Sequence, residues 1–247
     1  MPDKNKGVEI LSTVSETFEK QYLKVRRKEN RVYSDAEVRE LPDTFFYNLH
    51  RQEWEIRKKS LSRLFQYLKK RNKTARVLDL GCGNGWLSGN LAKLPHLEIV
   101  GLDVNRFELE QAARVFDYPN LRFVYGNIFE DILPFSSFDY IILASAIQYF
   151  PNLPQLINRC RQFLAQGGEI HIIDSPLYNE KEIEDARERT RMYYQSIGCE
   201  EMAEKYFHHL QTDINAFDFS FLYRPGGFFK KLSGGQDSTF PWVRIIN

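Results

Sequence analysis

The residues best placed to do chemistry stand together in Val77-Leu78-Asp79-Leu80-Gly81-Cys82-Gly83-Asn84-Gly85, an apolar strand that ends in a carboxylate and turns through three glycines. Glycines let a ligand approach the main chain closely and take up the tight turns that this approach needs. The stretch from Trp86 onward reads as a helix, and the amides at a helix N-terminus receive an anionic group such as the carboxylate of an amino acid. A second carboxylate, Asp103, closes the next apolar run, Ile99-Val100-Gly101-Leu102-Asp103, at the same end of a sheet. There it can accept both hydroxyls of a ribose, which points to an adenosine ligand; its alternative role is a helix cap or turn residue. Nicotinamide enzymes carry a similar acid, so Asp103 alone does not identify the ligand. The loop is more discriminating. Aligning Gly81 and Gly83 with the first two glycines of the dinucleotide fingerprint Gly-x-Gly-x-x-Gly puts bulky Trp86 where the third glycine allows close helix packing. The loop fits Asp-x-Gly-x-Gly-x-Gly better.

Such a loop needs a parallel sheet to hold it, and after Ala75 short apolar runs alternate with amphipathic stretches, the signature of repeated strand-helix units. Strands are expected at Arg76 to Leu80, Glu98 to Asp103, Leu121 to Tyr125, Tyr140 to Ser145 and Glu169 to Asp174. Helices are expected at Trp86 to Lys93, Arg106 to Phe116, Leu153 to Ala165 and Glu180 to Ile197. In the last of these, Asp185 and Arg189 stand four apart, a spacing that supports an exposed helix. Phe217 to Tyr223 and Trp242 to Ile246 read as an antiparallel closing pair across a connection containing Gly226-Gly227 and Gly234-Gly235. Before Ala75 the chain is charged and helical, most clearly from Phe45 to Lys70, where Trp54, Leu61, Leu64, Phe65 and Leu68 fall at helical spacing. Residues 1–74 therefore read as a helical N-terminal extension or lid, and residues 75–247 as the ligand-binding domain.

With 247 residues, 43% of them hydrophobic, the chain can bury a substantial core and is expected to be globular. Its 34 Lys and Arg against 33 Asp and Glu leave a formal charge of +1, so no overall field recommends nucleic acid or an anionic membrane as partner. The polar start Met1-Pro2-Asp3-Lys4-Asn5-Lys6 is not followed by the apolar stretch of a secretory signal, and no later apolar run is long enough to span a bilayer. A soluble, cytoplasmic protein is the expectation. Cys82, Cys160 and Cys199 have no paired spacing that would suggest a disulfide framework or a zinc site, so reduced thiols and no metal are expected.

Over its central hundred or so residues the chain resembles class I S-adenosylmethionine-dependent methyltransferases. The resemblance rests on residues 77 to 85, on Gly101-Leu102-Asp103-Val104, on Phe123-Val124-Tyr125-Gly126-Asn127-Ile128, on Leu133-Pro134-Phe135 with Phe138-Asp139-Tyr140-Ile141-Ile142, and on Leu164-Ala165-Gln166-Gly167-Gly168-Glu169. It implies an α/β, Rossmann-like, seven-stranded and mostly parallel sheet with its last strand antiparallel, flanked by helices. It also implies S-adenosylmethionine as cofactor and S-adenosylhomocysteine as product. Gly81, Cys82, Gly83 and Gly85 would lie by the methionine part, and Asp79 would position its ammonium directly or through water. Asp103 would hold the ribose diol and Val104 an adenine face. Asn127, at a position where an Asp is common, and Ile128 would meet the adenine edge, while Ala144 and Ser145 would offer carbonyls near the sulfonium and ammonium.

Methyl transfer is an in-line displacement at an already activated carbon, so an enzyme contributes mainly alignment and exclusion of water, and a base matters when the acceptor must lose a proton. Weak catalytic candidates are Gln148, His171 and His209. His171 lies in an apolar strand and reads first as a buried, hydrogen-bonded core residue, and His208 and His209 read first as surface or capping residues. Tyr149 stands beyond the fourth strand of the domain, where loops carry ligands, or else packs with Phe150. On the N-terminal segment, Tyr22, Arg26 and Arg31 either fold over the site, with the arginines clamping a substrate carboxylate or phosphate, or belong to a solvated helix. Cys82 also reads as a small packing residue.

Several methyltransferase chemistries lack their residues here. No Asn/Asp-Pro-Pro-aromatic motif occupies residues 145–148, no cysteine follows a proline, and residues 144–154 contain no acid. Only Asp174 ends a late strand with a carboxylate, which argues against a bound magnesium. A small-molecule acceptor methylated on O, N or C remains. Two alternatives stay open: an NAD(P)-dependent oxidoreductase, and a catalytically silent S-adenosylmethionine-binding partner subunit.

Overall fold

β3, Ala75–Leu80, runs through the middle of the sheet, and its alternate side chains feed two separate cores. Val77 joins one face and Leu78 the other, as parallel strands covered on both sides require. The computed structural model of the chain describes residues 3–5, 7–12, 16–71, 73–226 and 237–246. Among them, β4 (Leu97–Asp103) and β6 (Phe138–Ala144) flank β3 in parallel, β5 (Leu121–Tyr125) follows β4, and β7 (Leu164–Ile173) follows β6. β9 (Trp242–Ile246) inserts antiparallel between β7 and β8 (Phe219–Tyr223). The expected closing pair thus forms; Gly227, Gly234 and Gly235 of its connection lie outside the described residues.

The sheet has more strands than the seven expected. Asp3–Asn5 (β1) and Val8–Ile10 (β2) form an antiparallel pair, and β2 adds in parallel to the outer edge of β5, with Val8 opposite Phe123 and Ile10 opposite Tyr125. Nine strands result among the described residues, in the order β1-β2-β5-β4-β3-β6-β7-β9-β8. Strands of three residues are too short to show a period of two, so the sequence reads past them. The N-terminal stretch is accordingly not helical throughout.

Its helices are α1 (Glu16–Lys28), α2 (Asp35–Glu40) and α3 (Arg51–Arg71). α3 begins later than Phe45 because the Asn48 side chain accepts from the His50 amide at 2.8 Å, a local turn that competes with helix, and Phe46 and Leu49 remain exposed. α3 packs on one face of the sheet with α4 (Trp86–Leu91) and α5 (Arg106–Val115), while α6 (Leu153–Phe163) covers the other. α7 (Ile183–Ser196) follows β7. The extension is tied down by buried contacts, aromatic and polar. Trp54 meets Trp86 edge-on at 5.2 Å, Asn90 donates to the Leu41 carbonyl at 2.8 Å, and Gln111 donates to the Tyr33 carbonyl at 2.8 Å. Among the described residues no helix is long and apolar enough to cross a membrane.

Candidate functional site

Going outward from β3, the chain first builds β4 and β5 on one side and then β6 and β7 on the other, so the carboxyl ends of β3 and β6 form the switch point where open α/β sheets bind ligands. A cavity of about 290 Å³ lies there. It is lined by Gly81 and Gly83 of the glycine loop, by Ser145 and Ala146 after β6, by Asp103, Val104, Asn105 and Glu108, by Asn127 and Ile128, and by Phe18 and Tyr22 of α1 with Tyr149.

The glycine loop is shaped by contacts as well as by ligand access. Gly81 has φ +77°, and a Cβ there would stand 2.8 Å from the Ala146 Cβ. Gly85, also at positive φ, does not line the cavity; a Cβ on it would strike Ala112 at 2.7 Å and the Phe123 ring at 2.8 Å. Its glycine character serves the packing of α5 and β5 against the loop. Cys82 is buried, lines an adjoining recess, and its thiol is pushed up by burial, which suits packing rather than nucleophilic chemistry.

Asp103 is held by two amides, Gly83 donating to Oδ2 and Asn105 to Oδ1, each at 2.8 Å, and burial nevertheless raises its carboxyl above the ordinary range. Asp79 stands behind the loop, 1% exposed, where Ser88 Oγ donates to it at 2.6 Å; burial pushes it up to about 7. A third acid, Glu108, is also pushed up to about 7 by burial, with Arg26 acting in the other direction. Sequence reasoning missed Glu108. Its signal was a carboxylate at helical spacing with Ala112 and Val115, on the apolar stripe of α5. Phe18 was missed too, although Phe18, Tyr22 and Val25 share one face of α1 by the same spacing.

Asn127 spends its side-chain carbonyl on the Phe129 amide at 3.1 Å, and its own amide donates to Ser12 Oγ at 3.0 Å, so the segment after β2 braces this part of the cavity lining. Ser145 adopts φ +53°, and its carbonyl accepts from Gln148 Nε2 at 2.7 Å. Gln148 lines the recess with Ala144, and its Oε1 is buried without a hydrogen-bond partner, as are Asn105 Nδ2 and Arg26 Nε. Tyr149 meets Tyr22 edge-on at 5.5 Å and Phe18 at 5.8 Å.

The histidines stand elsewhere. His171 is fully buried, accepts from Trp242 Nε1 at 3.0 Å through Nδ1, and pairs through Nε2 with Glu169 at 3.2 Å; burial lowers its pKa. His209 contacts the Ile147 carbonyl through Nε2 at 2.9 Å and is also lowered by burial. Neither is among the residues lining the cavities described here. Asp174 accepts from Ser60 Oγ at 2.6 Å.

Comparison with known proteins agrees with this fold. A family model described as a methyltransferase domain matches residues 71–220, and the chain belongs to that family, in the class I, S-adenosylmethionine-dependent kind. Trans-aconitate 2-methyltransferase of Deinococcus radiodurans is 36% identical over 99 residues, 40% of this chain and 37% of that one. Demethylmenaquinone methyltransferase of Listeria welshimeri is 24% identical over 180 residues, 71% of this chain and 74% of that one. Among solved structures, a chain from the complex between the Haloferax volcanii Trm112 methyltransferase activator and a methyltransferase shares the fold with a TM-score of 0.57 at 14% identity, over 95% of this chain and 99% of that one. The matches span less than half the length of the first curated relatives, 37%, 44% and 45%.

Proposed function

We propose that the chain transfers a methyl group from S-adenosylmethionine to a small-molecule acceptor, at O, N or C, in the cytoplasm. The observation that carries this is the cavity at the switch point, closed by Tyr22 and Tyr149, which also line a second chamber beside it. Three carboxylates, Asp79, Asp103 and Glu108, stand raised by burial around the glycine loop and favour a ligand that brings positive charge. A sulfonium amino acid brings it; a pyrophosphate would add negative charge beside carboxyls whose ionised form burial already disfavours, which weighs against the nicotinamide reading.

In this assignment Asp103 accepts from the ribose hydroxyls and the free Nδ2 of Asn105 serves the same end. Val104 and Ile128 pack the adenine, with Asn127 at its edge. Asp79, directly or through water, the Ala144 and Ser145 carbonyls and the unpartnered Gln148 Oε1 face the cationic end, while Gly81, Cys82 and Gly83 shape the loop beside it. When bound, S-adenosylmethionine supplies an activated methyl carbon. The residues of the extension, Phe18, Tyr22 and Arg26, act as a lid that fixes the acceptor in line and excludes water. Tyr22 and Tyr149 are held in the phenol form by burial and donate hydrogen bonds rather than accept protons.

Turnover tests the reading. Incubation with labelled S-adenosylmethionine and a metabolite extract should transfer label to a small molecule and release S-adenosylhomocysteine. Tight binding with no release in any extract would favour the silent partner subunit instead.

A further inference from the structure

Beside the cofactor cavity, a chamber of about 340 Å³ opens between α1, α3, α7 and the segment after α7, and its wall is rich in donors. Four arginines line it, Arg26, Arg31, Arg57 and Arg189, against two acids, Glu29 and Glu53. Those acids are already engaged. Arg31 closes on Glu53 with Nη1 to Oε1 at 3.1 Å and reaches Glu29 at 3.2 Å, and Arg57 Nη2 reaches the same Glu53 at 2.8 Å. Among the described residues no ion pair joins Arg189 to either acid, and Arg26 pairs with neither but is joined to Glu108 instead. Arg26 Nε is buried with no hydrogen-bond partner, its nearest acid being Glu108 at 3.6 Å on the cofactor side. Arg189 is an exposed residue of the chamber's lining, and among the described residues no ion pair joins it to Asp185, four residues earlier, although its neighbours Arg187 and Arg191 pair with Glu184 and Glu188. The remaining polar wall is tyrosine together with Thr190. Tyr22, Tyr149, Tyr178, Tyr194 and Tyr206 all have pKa values raised by burial, so their hydroxyls stay protonated.

A wall of guanidinium and phenol donors, with its own carboxylates already paired, matches a group that only accepts hydrogen bonds and carries negative charge. We infer that this chamber holds the methyl acceptor by an anionic oxyacid group, a carboxylate or a phosphate, with Arg189 and Arg26 as its principal anchors. The inference rests on the neighbouring cavity being the cofactor site, since Tyr22 and Tyr149 form the shared wall across which the methyl group would pass. The group is bound, not consumed, so no further reactant is needed.

The test is a titration of the full chain with citrate and, separately, with inorganic phosphate, in the presence and absence of saturating S-adenosylhomocysteine at constant ionic strength. One of the two should bind the S-adenosylhomocysteine complex saturably, and the tighter names the oxyacid. Arg189→Gln should weaken that binding at least tenfold while leaving S-adenosylhomocysteine affinity unchanged, Arg189→Lys should recover part of it, and Arg191→Gln on the exposed face of α7 should bind as the native chain does. Binding of neither anion, or equal binding by native and Arg189→Gln chains, overturns the inference. Failure of S-adenosylhomocysteine itself to bind overturns instead the cofactor reading, and the arm without it still reports whether the chamber takes an anion.

Discussion

Arg26 of α1 stands 3.6 Å from Glu108 of α5, and both side chains are largely buried. The pair joins α1, the proposed lid, to the helix that follows Asp103, so the helix that lines the cavity with Phe18 and Tyr22 is fastened to one that lines it with Glu108. Removing one partner leaves the other charge buried and unpaired. Arg26→Ala and Glu108→Gln should each destabilise the chain and raise the KM for S-adenosylmethionine. In urea denaturation the double variant should fall short of additivity by about 0.5–3 kcal/mol, the range for residues in contact. Additive effects would mean that the pair does not fasten the lid.

Asp79 gives the site a pH dependence. Its folded-state carboxyl lies at about 7 against an ordinary 3.8, so the folded chain favours the protonated form. The stability that this contributes is full below the unfolded value near 4 and is lost as pH rises through about 7. Glu108, also at about 7, acts in the same direction. A cationic ligand reverses the preference, because its ammonium favours the ionised Asp79. Affinity for S-adenosylhomocysteine, which keeps the ammonium, should therefore rise about tenfold between pH 6 and pH 8, and Asp79→Asn should flatten most of that rise. Calorimetric titration across that range reads it directly; an affinity that falls with pH would contradict the role.

How far the sequence reaches is clear from particular residues. Gly81, Gly83 and Asp103, which line the cavity, are legible because strand ends and glycine turns have local signatures, and the succession of strands β3 to β7 along the chain shows in the alternating periods. Gly85 shows the limit: its type is legible, but its clash partners Ala112 and Phe123 are distant in sequence, so its packing role appears only in three dimensions. The same holds for β2, three residues long and defined by its pairing with β5. Arg189 is a further case, because i,i+4 spacing suggests a surface pair with Asp185 while the fold turns it toward a chamber assembled from α1, α3 and α7.

Gly85→Ala follows from that packing. Positive φ and a Cβ 2.7 Å from Ala112 combine backbone strain with overpacking, each worth roughly 1–3 kcal/mol. The variant should lose roughly 2–6 kcal/mol in urea unfolding, the sum of those two effects, and its S-adenosylhomocysteine affinity, measured where it is still folded, should change little. A large loss of affinity without loss of stability would move Gly85 back to the ligand.

His171 is the corresponding test of a residue kept out of the reaction. It accepts from Trp242 and pairs with Glu169 inside the core, so His171→Phe strands both partners and should destabilise the chain by about 1–3 kcal/mol. Turnover per folded molecule should stay within about threefold of native, which amounts to less than 1 kcal/mol of barrier. A drop of a hundredfold at unchanged stability would make it catalytic.

What the Gly81 to Asp103 site binds decides the chemistry open to the chain, and a thermal-shift comparison of S-adenosylhomocysteine with NAD reads this most directly. Saturating S-adenosylhomocysteine should raise the Tm of the native chain, as any ligand specific for the folded state does, and Asp103→Ala should abolish most of the shift. NAD should leave both chains unmoved. A Tm raised by NAD and not by S-adenosylhomocysteine would contradict the cofactor assignment and, with it, the proposed methyl transfer.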